Sequence, residues 1–147
     1  MEIAVLGLGC FWGPEIKFSK LDGVFQTEVG YCGGNSSQTN YNEVCTGETN
    51  HAEVVKLNFD PDIISYAKII KYFFEFHDPT TLNSQGPDFG TQYRSEIFYL
   101  NANQKIIAEK VLDEENKKLS GKIVTKISLL KNYCPAEEYH QKYLEKR

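Results

Sequence analysis

A chain of 147 residues with 16 basic and 20 acidic side chains has a net charge of −4, and its length suits one domain that buries about two-thirds of its unfolded surface. The two signs are interspersed, which excludes the basic stripe that nucleic acid or an anionic membrane surface requires. No apolar run approaches the ~20 residues of a membrane span, and Glu2 stands where a secretory signal carries Lys or Arg, so a cytoplasmic protein is expected.

"EIAVLGL" predicts a first strand over residues 2–8, with residues 9–13 as the turn after it. Pro14 suits the first position of a helix, where its missing N–H costs nothing, and that helix runs to about Leu21. "VFQTEVGY" is a second strand, stopped by Gly33-Gly34. The polar "NSSQTN" leads to a short helical turn from Tyr41 to Cys45. "HAEVVKLNF" is a third strand, closed by Asp60-Pro61. "SYAKIIKYFFEFH" places Ile69, Ile70, Phe73 and Phe74 at helical spacing. "DPTTLNSQGPDFGTQ", residues 78–92, is a loop of a length that suggests function. "YRSEIFYL" is a fourth strand, "ANQKIIAEKVLDEENKKL" a long helix ending at Gly121, "IVTKISLL" a fifth strand and "PAEEYHQKYLEK" a final helix. There is no repeat, low-complexity tract or linker. Strands alternating with helices, with the second and third strands close together, predict a two-layer α/β (α+β) sandwich: a mixed sheet covered by helices.

The cysteines are Cys10, Cys32, Cys45 and Cys134, with no C-x-x-C pair, so neither a structural zinc site nor a thioredoxin-like motif is supported. Nothing else looks secreted, and reduced thiols are expected. Methionine occurs only at position 1, which leaves oxidants no thioether inside the core. Cys10 stands in "GLGCFWGPE", just ahead of the first helix. The free N–H groups and dipole of such a helix can pull a thiol from about 8.5 to between roughly 3.5 and 7.5, which predicts a working thiolate. The alternative is an inert buried cysteine. Gly7, Gly9 and Gly13 spell G-x-G-x-x-x-G, one place out of step with a dinucleotide fingerprint. Phe11 and Trp12 either fill core or wall a pocket for something as small as a methyl group.

Alternation along the third strand puts His51, Glu53, Val55, Leu57 and Phe59 on one face. A carboxyl group among apolar neighbours is desolvated, stays protonated near neutral pH and can act as a general acid. The alternative is a strand-end glutamate paired with a base or facing water. Tyr41 and Tyr93 are hydroxyl donors in loop-adjacent segments, where packing roles compete, and Asp88 lies in the same glycine-flanked loop as Tyr93.

"GCFWGPE", "GVFQTEVGYCGG", "YNEVCTGETNHAEVV", "QGPDFGTQYRSEIFY" and "PAEEYHQKYL" together resemble the methionine sulfoxide reductase A family, in the family's order and over nearly the whole chain. The resemblance implies a ferredoxin-like core and reduction of the S epimer of methionine sulfoxide, in oxidised proteins and peptides, as a repair reaction. It implies Cys10 as nucleophile, Glu53 as proton donor, Tyr41 and Tyr93 as hydrogen-bond donors to the departing oxygen, Phe11 and Trp12 as the methyl cage, and Asp88 as support for the site. The product side is a Cys10 sulfenic acid, reduced by thioredoxin or by glutaredoxin with glutathione; no metal or organic cofactor is implied. Many family members continue into a glycine-rich tail with one or two recycling cysteines. This chain stops at "YLEKR", so residues 1–147 are expected to be a single catalytic domain without that tail. Cys45 lies where the family often has a non-essential cysteine, and Cys32 and Cys134 are the candidates for an internal resolving thiol.

Two other classes compete. A thiol hydrolase or acyltransferase needs His51 or His140 within hydrogen-bond reach of Cys10. A non-catalytic module that recognises oxidised methionine needs the pocket but not the thiol.

Overall fold

The computed structural model describes residues 1–146. Among them the elements run β1 (Glu2–Leu8), α1 (Trp12–Ser19), β2 (Val24–Cys32), α2 (Tyr41–Cys45), β3 (Ala52–Phe59), α3 (Tyr66–Glu75), β4 (Ser84–Gln85), β5 (Asp88–Phe89), β6 (Ser95–Tyr99), α4 (Ala102–Lys118), β7 (Lys126–Leu129) and β8 (Cys134–Pro135). Six strands form one sheet in the order β7-β6-β1-β3-β2-β8, in which only β6 and β7 are parallel. The inner four, β6-β1-β3-β2, are linked β1-α1-β2-β3-α3-β6, which is the expected ferredoxin-like connectivity.

Strand alternation sorts the interior into two layers. Ala4, Leu6, Leu8, Val29, Tyr31, Val55, Leu57, Phe59 and Ile97 join one cluster, against which α1, α3 and α4 pack. Val5, Cys32, Ala52, Val54 and Phe98 face the other way, under Leu130 and Tyr133. α3 buries the stripe Tyr66, Ile69, Ile70, Phe73 and Phe74, and Ser65 caps it by accepting the Lys68 N–H at 3.1 Å. Asn40 and Asn101 cap α2 and α4 in the same way. No helix among the described residues is long and apolar enough to cross a membrane.

The largest departure from the expected elements is at the end of the chain. In place of a helix over 135–146 there is an edge strand, β8, then a single 3₁₀ turn at Glu138–His140. Long-range bonds override the local helical pattern here. The Gln141 amide takes the Val29 N–H at 2.9 Å and donates to the Val29 and Ala136 carbonyls, so the chain is pinned along β2 rather than coiled. Pro135 is tolerated because β8 is an edge. Two further differences matter for the site. The 78–92 loop contains the β4–β5 hairpin, and Tyr93 ends a 3₁₀ turn over Thr91–Tyr93 rather than starting a strand.

Candidate active site

Cys10 follows Gly9, whose φ of 92° lies in the left-handed region, and a side chain there would meet Gln85 at 2.6 Å. The turn that carries Cys10 is thus closed over by the β4–β5 hairpin. α1 begins two residues later, and the Trp12 N–H bonds to the thiol, which favours the thiolate. Burial outweighs that contribution and pushes Cys10 up to about 11, with the charges of Glu53 and Asp88 acting in the same direction. The expected low-pKa thiolate is therefore corrected: the resting group is a half-buried thiol.

Glu53 stands opposite Tyr31 across the β2–β3 ladder and is 1% exposed. Its Oε1 accepts the Phe11 N–H at 3.3 Å, while Oε2 has no hydrogen-bond partner in the protein. Burial raises Glu53 from an ordinary 4.5 to about 8; the Phe11 N–H opposes the rise and Asp88 adds to it. At neutral pH the group carries a proton beside a thiol. Because the folded value is the higher one, the stability linked to Glu53 is fully present below pH 4.5 and is lost as pH rises towards 8. At pH 7 that loss is about 3 kcal/mol. Glu53→Gln keeps an acceptor for Phe11 and carries no charge, so denaturant unfolding should show a more stable protein at pH 7 and little change at pH 4. An equal gain at both values would count against this account.

Around this pair the structure gathers the other expected residues. Tyr41, on α2, interacts through its hydroxyl with Tyr93 and Cys45, and both phenols are raised by burial, Tyr93 to about 12. Glu53 acts electrostatically on both phenols, and Asp88 acts on Tyr93, Cys10 and Glu53. Arg94 braces the turn that bears Tyr93. It pairs with Glu96 at 2.6 Å and donates to the Thr91 and Asn50 carbonyls, tying that turn to the start of β3. Phe11 is buried against Tyr31 and His140 and belongs to the core; Trp12 is half-buried and stacks on Tyr143 with centroids 3.9 Å apart.

The C-terminal segment supplies residues whose roles the sequence reading left unassigned. The Trp12 indole N–H donates to His140 Nδ1 at 3.1 Å, and the ring of His140 packs against Phe11 and Tyr41. Glu137 accepts the Tyr31 hydroxyl at 2.8 Å and the Tyr41 N–H at 3.0 Å. Only the "PAEEYHQKYL" motif marked this stretch, and nothing local tells which of its side chains turn inward.

Neither histidine partners the thiol. His51 Nε2 bonds to the Ser36 carbonyl at 2.7 Å and its ring lies against Gly34, while His140 serves Trp12. Burial lowers both, so each is neutral at pH 7. The arrangement that a thiol hydrolase needs is not formed. All four cysteines are unpaired. Cys32 is wholly buried on the sheet face opposite Glu53 and donates to the Lys131 carbonyl. Cys134 is half-buried opposite Tyr31, with Sγ 3.7 Å from the Thr39 carbonyl.

A thiol, a protonated carboxyl, two phenols and an aromatic wall can attack an electrophilic sulfur, protonate an oxygen bound to it and hold an apolar substituent. Comparison with known proteins gives the family. Residues 2–147 match the family model described as peptide methionine sulfoxide reductase. The peptide methionine sulfoxide reductase MsrA of Pelagibacter ubique (strain HTCC1062) is 78% identical over 147 residues, covering the whole of both chains. The crystal structure of Mxr1 from Saccharomyces cerevisiae in reduced form superposes with a TM-score of 0.95 at 40% identity, covering 99% of this chain and 85% of that one. A further Mxr1 structure, in complex with Trx2, aligns with a TM-score of 0.69 at 26% identity over 97% of this chain and 84% of that one. The chain belongs to the peptide methionine sulfoxide reductase MsrA family and is an enzyme that reduces methionine sulfoxide.

Proposed function

We propose that this domain reduces the S epimer of methionine sulfoxide through a Cys10 sulfenic acid, and so repairs oxidised proteins and peptides. The observation that carries the reading is Glu53: a buried carboxyl, raised to about 8, beside the thiol and with one oxygen unpartnered. Cys10 gives up its proton and its sulfur attacks the sulfoxide sulfur. Glu53 protonates the sulfoxide oxygen, which Tyr41 and Tyr93 hold by hydrogen bonds, while Asp88 supports the site. The sulfur–oxygen bond and the transient sulfur–sulfur bond break as the hydroxyl passes to Cys10, and the proton that Cys10 released returns through solvent to Glu53. The substrate sulfur gains two electrons and becomes a thioether, and the cysteine sulfur loses two. Trp12, backed by the core ring of Phe11, takes the methyl group. With methyl and oxygen in separate subsites, only one epimer turns its sulfur towards Cys10.

An external thiol then attacks the sulfenic acid, releasing water, and a second thiol frees Cys10 as a disulfide leaves. Direct recycling is supported by Cys32 lying on the far face of the sheet, with its thiol raised to about 11 by burial. A thioredoxin is the favoured reductant, in line with the Mxr1–Trx2 complex, and glutaredoxin with glutathione is the second source. The test uses one equivalent of resolved S or R epimer of a blocked methionine sulfoxide, without reductant. The S epimer should give one methionine per enzyme, three of the four free thiols remaining and a dimedone adduct on Cys10. Comparable reduction of the R epimer would remove the methyl-cage assignment. Two remaining thiols, with a mapped bond from Cys10 to Cys134 or Cys32, would overturn direct recycling.

A further inference from the structure

Glu15 lies in the first turn of α1, one turn past Trp12, and is only 2% exposed. A carboxyl group buried that deeply needs partners for both oxygens. Oε2 accepts the Thr27 hydroxyl at 2.9 Å, and Oε1 accepts the backbone N–H of Lys142 at 2.7 Å. The two bonds do different jobs. The first staples α1 to β2; the second reaches the C-terminal segment and holds Lys142, whose φ of 51° is a conformation that a lysine rarely adopts unaided.

What flanks Lys142 bears on the pocket. Tyr143 stacks on the Trp12 indole with an interplanar angle of 13°, and His140 accepts its N–H. The indole is thus gripped by two side chains of one segment, and the Glu15 bond to Lys142 lies between them in sequence. We propose that Glu15 is a positioning residue for the substrate methyl group: by holding the Lys142 amide it sets Tyr143 and His140, and through them the Trp12 indole. The proposal rests on Trp12 being the methyl wall of the reductase site.

Trp12 is the only tryptophan, so fluorescence excited beyond the absorption of the nine tyrosines reports its packing. Emission, acrylamide quenching and single-turnover kinetics would be measured on Glu15→Ala, Glu15→Gln and Thr27→Val. In Glu15→Ala the emission should move to the red and quenching should increase. The substrate concentration for half-maximal rate should rise about tenfold, the order of one buried hydrogen bond, while the saturated rate stays within about threefold. Glu15→Gln should restore both readouts, because its amide can accept from Lys142 and donate to Thr27. Thr27→Val should match wild type, because it removes only the staple to β2. If the alanine variant does not fold, Glu15→Asp, too short to reach both partners, carries the same measurement. Unchanged emission in the Glu15 variant, or a Thr27→Val protein that reproduces its defect, overturns the proposal. So does a shifted emission with unchanged substrate dependence. In that case Trp12→Ala shows whether the methyl assignment falls as well: it survives if Trp12→Ala weakens substrate binding and falls if it does not.

Discussion

Cys10→Ser should form no methionine from a sulfoxide peptide above the uncatalysed background, even with excess dithiothreitol. A hydroxyl is a poor nucleophile towards sulfur and cannot carry the sulfenic state through which the oxygen leaves. The remaining thiols are badly placed to substitute: Cys32 is sealed behind the sheet, Cys45 is tied to Tyr41, and Cys134 faces Thr39. Mass spectrometry of the peptide reads the result directly, as loss or retention of one oxygen. The pocket should survive, since serine is close to cysteine in size, and binding of the sulfoxide peptide to the variant checks this. Turnover by a folded Cys10→Ser protein would place the nucleophile elsewhere.

Glu53→Gln should slow the reductase step by about 10² to 10⁴, the usual contribution of general acid–base catalysis. Its pH dependence should also change form. The reacting state needs protonated Glu53 together with ionised Cys10, whose values are about 8 and about 11. Below about pH 8 the acid is in place and the thiolate is scarce, so the wild-type single-turnover rate should climb about tenfold per unit. Between about 8 and about 11 each gain in thiolate is cancelled by a matching loss of the acid, and the rate should level off. Glu53→Gln has no acid to lose. Its slow rate should keep rising through pH 8, and a bend retained there would show that another group supplies the proton. A variant rate within about threefold of wild type at neutral pH, well below the range expected for such catalysis, would show the same.

Local pattern made much of this molecule legible. The apolar alternation of residues 51–59 placed Glu53 on the same face as Val55, Leu57 and Phe59, and the fold keeps it there because a strand's side chains can point only two ways. The 3.6-residue spacing of Ile69, Ile70, Phe73 and Phe74 found α3, and the glycines around Cys10 found the turn between β1 and α1. Five motifs in order were enough to name the family.

Other properties depend on partners distant in the chain. A helix start beside Cys10 predicts a depressed thiol, and that contribution is present in the Trp12 N–H; burial, together with Glu53 and Asp88, decides the sign the other way. The last dozen residues read as a helix in isolation, yet Gln141 spends its amide on Val29 and Glu15 takes the amide of Lys142, bonds that no local periodicity encodes. The β4–β5 hairpin was hidden for the same reason: two-residue strands have no pattern of their own, and Gln85 is seated only because Gly9 has no side chain. Sequence determined the family and the strand faces and singled out the candidate reacting groups, because these follow from side-chain type and short-range spacing. Tertiary structure alone decided which protons those groups hold and which residues grip Trp12, because desolvation and long-range hydrogen bonds arise only once distant segments pack together.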